Sequence, residues 1–153
     1  MSKGVAVMTR RRATGRFELQ IPAADAIGLF TPEGERAWVP GWDPTYPEGQ
    51  ASETSGTVFR TSHGDNDTIW TVHHIDRRGC TAAYSRHSVG NWAGTVQVRC
   101  EDLSPGRCSV TVDYDTTLLP GGDPSILHDF DEPSYAAMMD EWATLATAGI
   151  AHR

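Results

Sequence analysis

The stretch Gly56–Leu119 constrains the fold most, because apolar and polar residues alternate along it and turn-forming motifs interrupt it at regular intervals. Alternation with a period of two is typical of β-strands that bury one face. The interruptions HGDND, DRRG, VG and DLSPG are short and suit hairpins. The stretch therefore predicts an antiparallel meander. Its expected strands are Thr57–Thr61, Thr68–Ile75, Cys80–Ser88, Asn91–Glu101 and Arg107–Leu118.

The residues before the meander predict one strand and two short helices. Thr14–Ile21 (TGRFELQI) alternates in the same way and is ended by Pro22. Ala23–Phe30 has the pattern of a short helix. A second helix is expected from Thr31, a typical N-cap residue, to about Trp38.

The residues after the meander predict one long helix over Asp131–Ile150, because an apolar stripe repeats along it at helical spacing. The stripe consists of Tyr135, Met138, Met139, Trp142 and Leu145. It has to be buried, and the sheet is the only partner large enough. We therefore expect an α+β domain in which the sheet packs against the C-terminal helix.

Composition limits the kind of protein and its partners. With 153 residues the chain suits a single domain, expected over residues 14–151, after a flexible basic tail of residues 1–13. The net charge of −7 argues against nucleic acid as a partner. No apolar run reaches the roughly 18 residues of a membrane span, and the N-terminus lacks the pattern of a secretory signal. Three cysteines without a framework spacing favour a reducing compartment, so we predict a cytoplasmic protein.

The period of two also predicts which side chains face the helix. Turns at Asp76–Gly79 and Val89–Gly90 would place His87 opposite Trp92. The face expected to meet the helix then contains Trp70, Val72, His74, Ala83, Ser85, His87, Trp92, Val96, Val98, Val110, Val112 and Tyr114. The opposite, solvent face would carry Thr71, His73, Tyr84, Arg86, Thr95, Gln97, Arg99, Asp113 and Asp115.

The inner face predicted in this way is unusual for a solid core. Polar side chains lie among its valines, and small residues such as Ala83 and Gly94 leave room. Buried polar groups need partners, so the combination indicates a cavity lined by a few polar groups. Cys100 and Cys108, further along the last hairpin, are expected to be buried thiols that pack as small apolar residues.

Several strings in the chain resemble the START-like, or SRPBCC, superfamily and in particular its small bacterial members. They are LFTPEGERAWVPGWDP at Leu29–Pro44, GTVFRT at Gly56–Thr61, TIWTVHHID at Thr68–Asp76, AGTVQV at Ala93–Val98 and YAAMMDEW at Tyr135–Trp142. The resemblance covers Thr14 to Ile150. It implies the helix-grip fold of the birch pollen allergen and the polyketide cyclases. In that fold an antiparallel sheet, here of roughly six or seven strands, curves around a long C-terminal helix, and two short helices follow the first strand.

The superfamily includes lipid carriers, hormone receptors, chaperone co-activators and a few cyclases, so the fold leaves the function open. We predict that the chain binds a small or medium hydrophobic molecule, without a cofactor, in a cavity of roughly 300 Å³ or more between sheet and helix. The residues expected to bind it are Trp38, Trp42, Trp70, His74, Ser85, His87, Trp92, Tyr114, Met138 and Trp142. Two of these, Trp38 and Trp42, are expected at the mouth. The oligomeric state stays open, a homodimer included.

Two other functions are weighed against this one. The first is an enzyme of the cyclase or dehydratase kind, in which His74 or His87 moves protons with Ser85 or Tyr114 in reach. We favour binding over catalysis, because the spacing shows no nucleophile, base and orienting group together. No metal is expected either, because the consecutive His73 and His74 would point to opposite faces of a strand. The second is a protein-interaction module, which the charged outer face of the sheet does not favour.

Overall fold

One antiparallel sheet forms the body of the protein, whose computed structural model describes residues 9–63 and 66–151. Its strands are β1 (Arg10–Leu19), β2 (Val58–His63), β3 (Asn66–Asp76), β4 (Thr81–Ser88), β5 (Trp92–Ser104) and β6 (Arg107–Leu118). They lie in the order β1-β6-β5-β4-β3-β2. The helices are α1 (Ala23–Ala26), which continues as a 3₁₀ turn over Ile27–Phe30, and the long α2 (Glu132–Ala151). Further 3₁₀ turns cover Gly34–Ala37 and Pro124–Phe130.

This architecture confirms the predicted helix-grip fold, with six strands in the described chain. The helix α2 packs on the inner face of the sheet against β1 and reaches β6 through a hydrogen bond. Its Tyr135 hydroxyl donates a hydrogen bond of 2.6 Å to the carbonyl oxygen of Val112. Gly15 of β1 allows this close approach, because a Cβ there would lie 2.5 Å from Cγ of Met139. The apolar stripe of α2 is therefore buried against the sheet.

The edge strand β1 begins earlier than predicted. Residues 10–13, expected in the flexible tail, pair with β6. Arg10 and Arg12 form ion pairs with Asp115, at 2.6 and 3.2 Å, and Arg11 pairs with Asp131. Carboxylates on neighbouring elements thus hold the basic run against the sheet. Residues 1–8 of the predicted tail lie outside the described residues.

The predicted register of β4 against β5 is wrong by one residue. The loop that joins the two strands has three residues, Val89–Asn91, instead of two, so that Ser88 and not His87 lies opposite Trp92. Gly90 in this loop has a φ of 73°, which is the left-handed conformation that three-residue hairpin loops require. The extra loop residue shifts the pairing of β4 with β5 by one residue along its whole length.

A shift of one residue moves every side chain of a strand to the other face of the sheet. Tyr84 and Arg86, predicted to face solvent, therefore lie on the inner face, opposite Val96 and Gly94 of β5. Three residues predicted for the inner face lie on the outer one instead: Ala83, Ser85 and His87.

β3 contains a β-bulge, which changes the predicted position of His74. The pairing with β4 shifts between Val72 and His74, so that Val72 is buried while His73 and His74 are both exposed. His73 forms a hydrogen bond with the Ser85 hydroxyl, and Nε2 of His74 lies 3.3 Å from Oγ1 of Thr81. The prediction that His74 faces the interior is therefore wrong.

One part of the core lies where α1 and the turn after it pack on β5 and β6, a region that we call the apolar end. Its side chains are Leu19, Ile27, Cys100, Cys108 and Val110, all at most 3% exposed. Leu19 pairs with Cys108 across β1 and β6, and Cys100 pairs with Val110 across β5 and β6. Both cysteines are free and buried, as predicted.

Candidate functional site

The segment Leu29–Pro44 covers the inner face of the sheet and carries an acidic residue, Glu35, into the interior. A turn between Gly28 and Gly34 determines the path of this segment. The Thr31 hydroxyl donates to the carbonyl oxygen of Gly28 at 2.9 Å and accepts from the backbone N–H of Gly34 at 3.0 Å. The approach is so close that a Cβ on Gly34 would lie 1.7 Å from that carbonyl oxygen. Glycine is therefore required immediately before Glu35.

Two tryptophans fix the conformation of this segment. Nε1 of Trp38 donates to the carbonyl oxygen of Leu29 at 2.7 Å, and Nε1 of Trp42 donates to that of Pro32 at 2.8 Å. The Trp38 ring meets Phe30 edge-on, with centroids 5.5 Å apart. The indoles thus satisfy carbonyl groups that regular secondary structure would otherwise pair.

An internal cavity of about 20 Å³ lies between this segment, the sheet and α2. Its lining consists of six aromatic residues, two valines and one acid: Phe30, Phe59, Trp70, Tyr84, Tyr114, Trp142, Val96, Val98 and Glu35. We call this region the aromatic end. The space suits about one water molecule. The predicted large cavity of roughly 300 Å³ is absent at this position, because the aromatic rings fill most of it.

The wall on the sheet side is held by hydrogen bonds. Phe59 and Trp70 stack with centroids 5.6 Å apart, and Tyr84 meets each of them edge-on at 6.2 Å. The Tyr84 hydroxyl donates to the carbonyl oxygen of Phe30 at 2.7 Å. Nε1 of Trp70 donates to Oγ1 of Thr61 at 2.9 Å. Both polar tips are therefore satisfied within the protein.

The wall on the helix side is held by ring contacts. The Trp142 ring of α2 lies 6.4 Å from Phe30 and 6.3 Å from Tyr114, centroid to centroid. Trp142 and Tyr114 are half-buried. Among the described residues, none accepts a hydrogen bond from the Trp142 indole or from the Tyr114 hydroxyl. These two rings are therefore less constrained than those of the sheet wall.

Glu35 is the acid of this cavity. Glu35 is half-buried, its side chain borders the cavity, and burial raises the pKa of its carboxyl group to about 8. No hydrogen bond or ion pair reaches that carboxyl group from any residue in the described part of the chain. Its charge raises the pKa of Tyr84 and Tyr114, which places both phenols near it. Burial itself raises the pKa of Tyr114 to about 12.

A buried guanidinium, that of Arg86, lies beyond Tyr114. Its central carbon is 4.3 Å from the ring centre of Trp92, 4.7 Å from Tyr114 and 5.6 Å from Phe130. Nη2 donates to Oγ1 of Thr116 at 3.0 Å, and burial lowers the pKa of the group. Aromatic faces stabilise such a cation, which forms no ion pair within the described residues, although the charge of Asp129 acts on it.

The residues predicted to bind a ligand fall into three groups. Those that line the cavity are Trp70, Tyr114 and Trp142. Those that pack in or beside the core without lining it are Trp38, Trp42, Trp92 and Met138. Those on the outer face of the sheet are His74, Ser85 and His87. The catalytic alternative therefore keeps Tyr114 and loses both histidines from the interior.

The residues predicted to bind a ligand do not include Glu35, Tyr84, Phe30 and Phe59, which all line the cavity. Tyr84 was recoverable, because reading VGN as a three-residue loop with a left-handed glycine places it on the inner face. No pattern in the sequence separates Glu35 from its exposed neighbour Glu33 in the EGER motif. Only the path of the segment Leu29–Pro44 over the sheet directs Glu35 to the cavity and leaves Glu33 exposed.

Other kinds of site find no support in residues 9–63 and 66–151. No group of three or more His, Cys, Asp and Glu side chains there is arranged to hold a metal ion. Within the same ranges, no helix has both the length and the apolar character needed to cross a membrane.

Comparison with known proteins identifies the fold. No family model and no curated protein matches the sequence. The structure resembles a START superfamily protein from Mycobacterium smegmatis, with a TM-score of 0.67 and 13% identity over 93% of this chain and 98% of the other. It also resembles Ara h 8.0201, with a TM-score of 0.65 and 10% identity over 94% and 97%.

A further similar structure is that of norcoclaurine synthase from Thalictrum flavum in complex with dopamine and hydroxybenzaldehyde. Its TM-score is 0.64 and its identity 11%, over 100% of this chain and 96% of the other. All three likenesses are at low identity and concern the fold. The chain has the helix-grip fold of the START-like superfamily.

Proposed function

We propose that this domain binds one small, largely apolar organic molecule between the sheet and α2, with a polar atom of the molecule directed at Glu35 and Tyr114. The observation that carries the proposal is the aromatic end itself. Six aromatic side chains surround a water-sized space, and two polar groups that border it have no protein partner among the described residues. Apolar walls with a few placed polar groups are typical of ligand sites.

A purely structural role explains the aromatic end less well. Leaving a buried polar group without a partner costs about 1–3 kcal/mol, and more when the group is charged. A core selected only for stability would carry an apolar residue of similar volume at position 35. A ligand atom that hydrogen-bonds with the Glu35 carboxyl group would offset this cost.

Binding requires the aromatic end to open, because 20 Å³ is too small for an organic molecule. We assign the opening to Trp142. Its ring is half-buried, its indole has no acceptor among the described residues, and it lies at the interface between α2 and the sheet. Movement of this ring would enlarge the cavity without breaking the hydrogen bonds of Tyr84 and Trp70. The complex of norcoclaurine synthase with dopamine and hydroxybenzaldehyde supports the proposal, because that protein of the same fold holds small aromatic molecules.

Toluene is a suitable first probe. In a ¹H–¹⁵N NMR titration, we expect saturable shifts of the indole N–H signals of Trp70 and Trp142. Val98→Phe would fill the cavity and abolish these shifts, and Val96→Ile is the milder substitute if that variant does not fold. Val58→Phe is the matched control, because Val58 is 39% exposed on the edge strand β2. Absence of saturable shifts in the wild type, or equal shifts in V98F, would overturn the proposal.

The buried carboxyl also favours a second candidate function, a proton-transfer enzyme. Its pKa of about 8 is close to the operating pH that an efficient general acid or base requires. In this version Glu35 and Tyr114 replace the histidines of the cyclase or dehydratase hypothesis. Glu35→Gln would abolish turnover of a bound substrate while leaving the affinity for toluene unchanged.

We also propose a location and an excluded class of partner, both from composition. We infer a cytoplasmic location from three free thiols, because cysteines in oxidising compartments are usually paired. The absence of a nucleic-acid partner is inferred from the net charge of −7. A homodimer stays a prediction.

A further inference from the structure

We propose that the ligand of the aromatic end is an organic cation, a protonated amine whose nitrogen occupies the water-sized space against the Glu35 carboxylate. This inference rests on the proposed function and adds the chemical class of the ligand. It follows from three features of the site: a cavity-lining carboxyl group without a partner among the described residues, a wall of aromatic rings, and a space of about 20 Å³.

The walls favour a positive charge. The face of an aromatic ring carries partial negative charge, and cations bind over Trp, Tyr and Phe in both proteins and ligand cages. The lining supplies two such residues of each kind. An ammonium group is similar in size to a water molecule, so it fits the space that exists, while the apolar part of the ligand takes the room opened by Trp142.

The hydrogen-bonding groups point to the same class. An ammonium group donates three hydrogen bonds and accepts none. The Glu35 carboxylate is an acceptor only, and the Tyr114 hydroxyl oxygen can accept as well. Above the raised pKa, where Glu35 is ionised, a carboxylate ligand would instead face its charge in an apolar site, which is unfavourable. A neutral alcohol would satisfy one group and leave the carboxylate without a counter-charge.

The other charged and titratable groups around Glu35 leave this preference in place. Tyr84 on β4 and Tyr114 on β6 are neutral at physiological pH, since burial raises the pKa of each. The nearest cation on the inner face, Arg86, acts on Tyr114 and is covered by aromatic rings rather than lining the cavity. Trp142, the residue of α2 that borders the cavity, carries no charge.

The proposal predicts a coupling between binding and proton release. In the free protein the carboxyl group of Glu35 is half-protonated at about pH 8. An ammonium ligand binds the ionised form, so below that pH each binding event must release one proton. Affinity for the amine should therefore rise by about tenfold per pH unit as the pH increases towards that value, and level off above it. The affinity for a neutral ligand should not rise with pH in this way.

Benzylamine, benzyl alcohol and toluene share one ring and differ only in the polar group, so they separate the alternatives. We would measure their affinities by calorimetry between about pH 6 and about pH 8.5, where benzylamine stays protonated. At the upper end, benzylamine should bind about 10- to 100-fold more tightly than benzyl alcohol, as for a hydrogen bond to a charged group. In E35Q this preference and the pH slope should both disappear. Glu48→Gln, which changes the same charge at an exposed loop position, should keep both.

The outcomes are distinguishable. If toluene binds and benzylamine binds no more tightly than benzyl alcohol, the ammonium inference is overturned while the proposed function stands. If benzylamine binds tightly but E35Q keeps the preference, Glu35 is not the recognising group and the inference is also overturned. If none of the three ligands binds, both proposals fail. If E35Q does not fold, the wild-type protein alone decides the inference. Affinity that rises with pH for benzylamine but not for benzyl alcohol supports it, and affinities with the same pH dependence overturn it.

Discussion

The two ends of the interior are built on different chemistry. At the apolar end, aliphatic side chains and two thiols are buried to at most 3% exposure and carry no charge. At the aromatic end, rings meet at centroid distances of about 6 Å, some remain half-buried, and an acid borders the remaining space. Both ends rest on the same sheet and differ in how completely they are filled.

This difference separates stability from binding. Aliphatic groups packed at high density stabilise a fold through burial and leave no room for a guest. Rings held by edge contacts and a carboxyl without a partner stabilise the fold less, but they leave space and unused hydrogen-bonding capacity. We therefore expect substitutions at the apolar end to change stability alone, whereas substitutions at the aromatic end change binding or its pH dependence.

The largest effect on stability is expected at the apolar end. Leu19→Ala removes a side chain that is 1% exposed and should lower the free energy of unfolding by about 2–5 kcal/mol. Urea denaturation would measure this, and the affinity for toluene should stay the same. Val89→Ala, at a position 75% exposed, is the control and should change stability by less than about 0.5 kcal/mol. A lower affinity for toluene in L19A would contradict the expectation that substitutions at the apolar end change stability alone.

At the aromatic end, Glu35→Gln should increase stability in a pH-dependent way. The folded protein has a raised pKa of about 8 at this group, against an ordinary value of 4.5. Ionising the carboxyl therefore costs stability as the pH rises from the ordinary value to the raised one. E35Q avoids this cost, so its advantage should be absent at low pH and reach the order of a few kcal/mol above the raised pKa. Thermal unfolding across this range would measure it, with E48Q as control, and a constant difference would contradict the prediction.

The two phenols of the cavity offer a smaller, matched comparison. Tyr84→Phe removes the donor to the carbonyl oxygen of Phe30, a bond of 2.7 Å, and should cost about 1–3 kcal/mol. Tyr114→Phe removes a hydroxyl with no partner among the described residues and should change stability by less than about 0.5 kcal/mol. Equal losses, measured by urea denaturation, would mean that the Tyr114 hydroxyl is held as firmly as that of Tyr84.

The smallest effects are expected on the outer face. His74→Gln and His87→Gln should each change stability by less than about 0.5 kcal/mol and leave the affinity for toluene unaltered, because both side chains point away from the cavity. Calorimetric titration would detect a change. A weaker affinity in either variant would favour the interior position that the sequence predicts over the position in the structure.

Local patterns predict the elements of this fold well, and register less well. The alternation of β6 and the stripe of α2 are each contained in one stretch of sequence, and both elements have nearly the predicted bounds. The face of β4 depends instead on one extra loop residue, Asn91, and the exposure of His74 on a bulge after Val72. Such single-residue irregularities move side chains to the opposite face of the sheet without changing the alternating pattern of the sequence.

Only three of the six aromatic residues that line the candidate site are predicted from the sequence. Trp70, Tyr114 and Trp142 follow from the patterns of their own elements. Glu35 does not, because its burial results from the path of the whole segment Leu29–Pro44 across the sheet. The volume of a cavity is equally beyond a sequence pattern, since it depends on how rings from separate elements interlock.

The most direct test of the account is a ¹³C NMR titration of the Glu35 carboxyl carbon, in the free protein and with saturating benzylamine. We expect a midpoint near the raised pKa of about 8 in the free protein and a lower midpoint when the amine is bound. An ordinary carboxyl midpoint in the free protein, or one that benzylamine leaves in place, would contradict the assignment of Glu35 as the ligand-recognising group of the aromatic end.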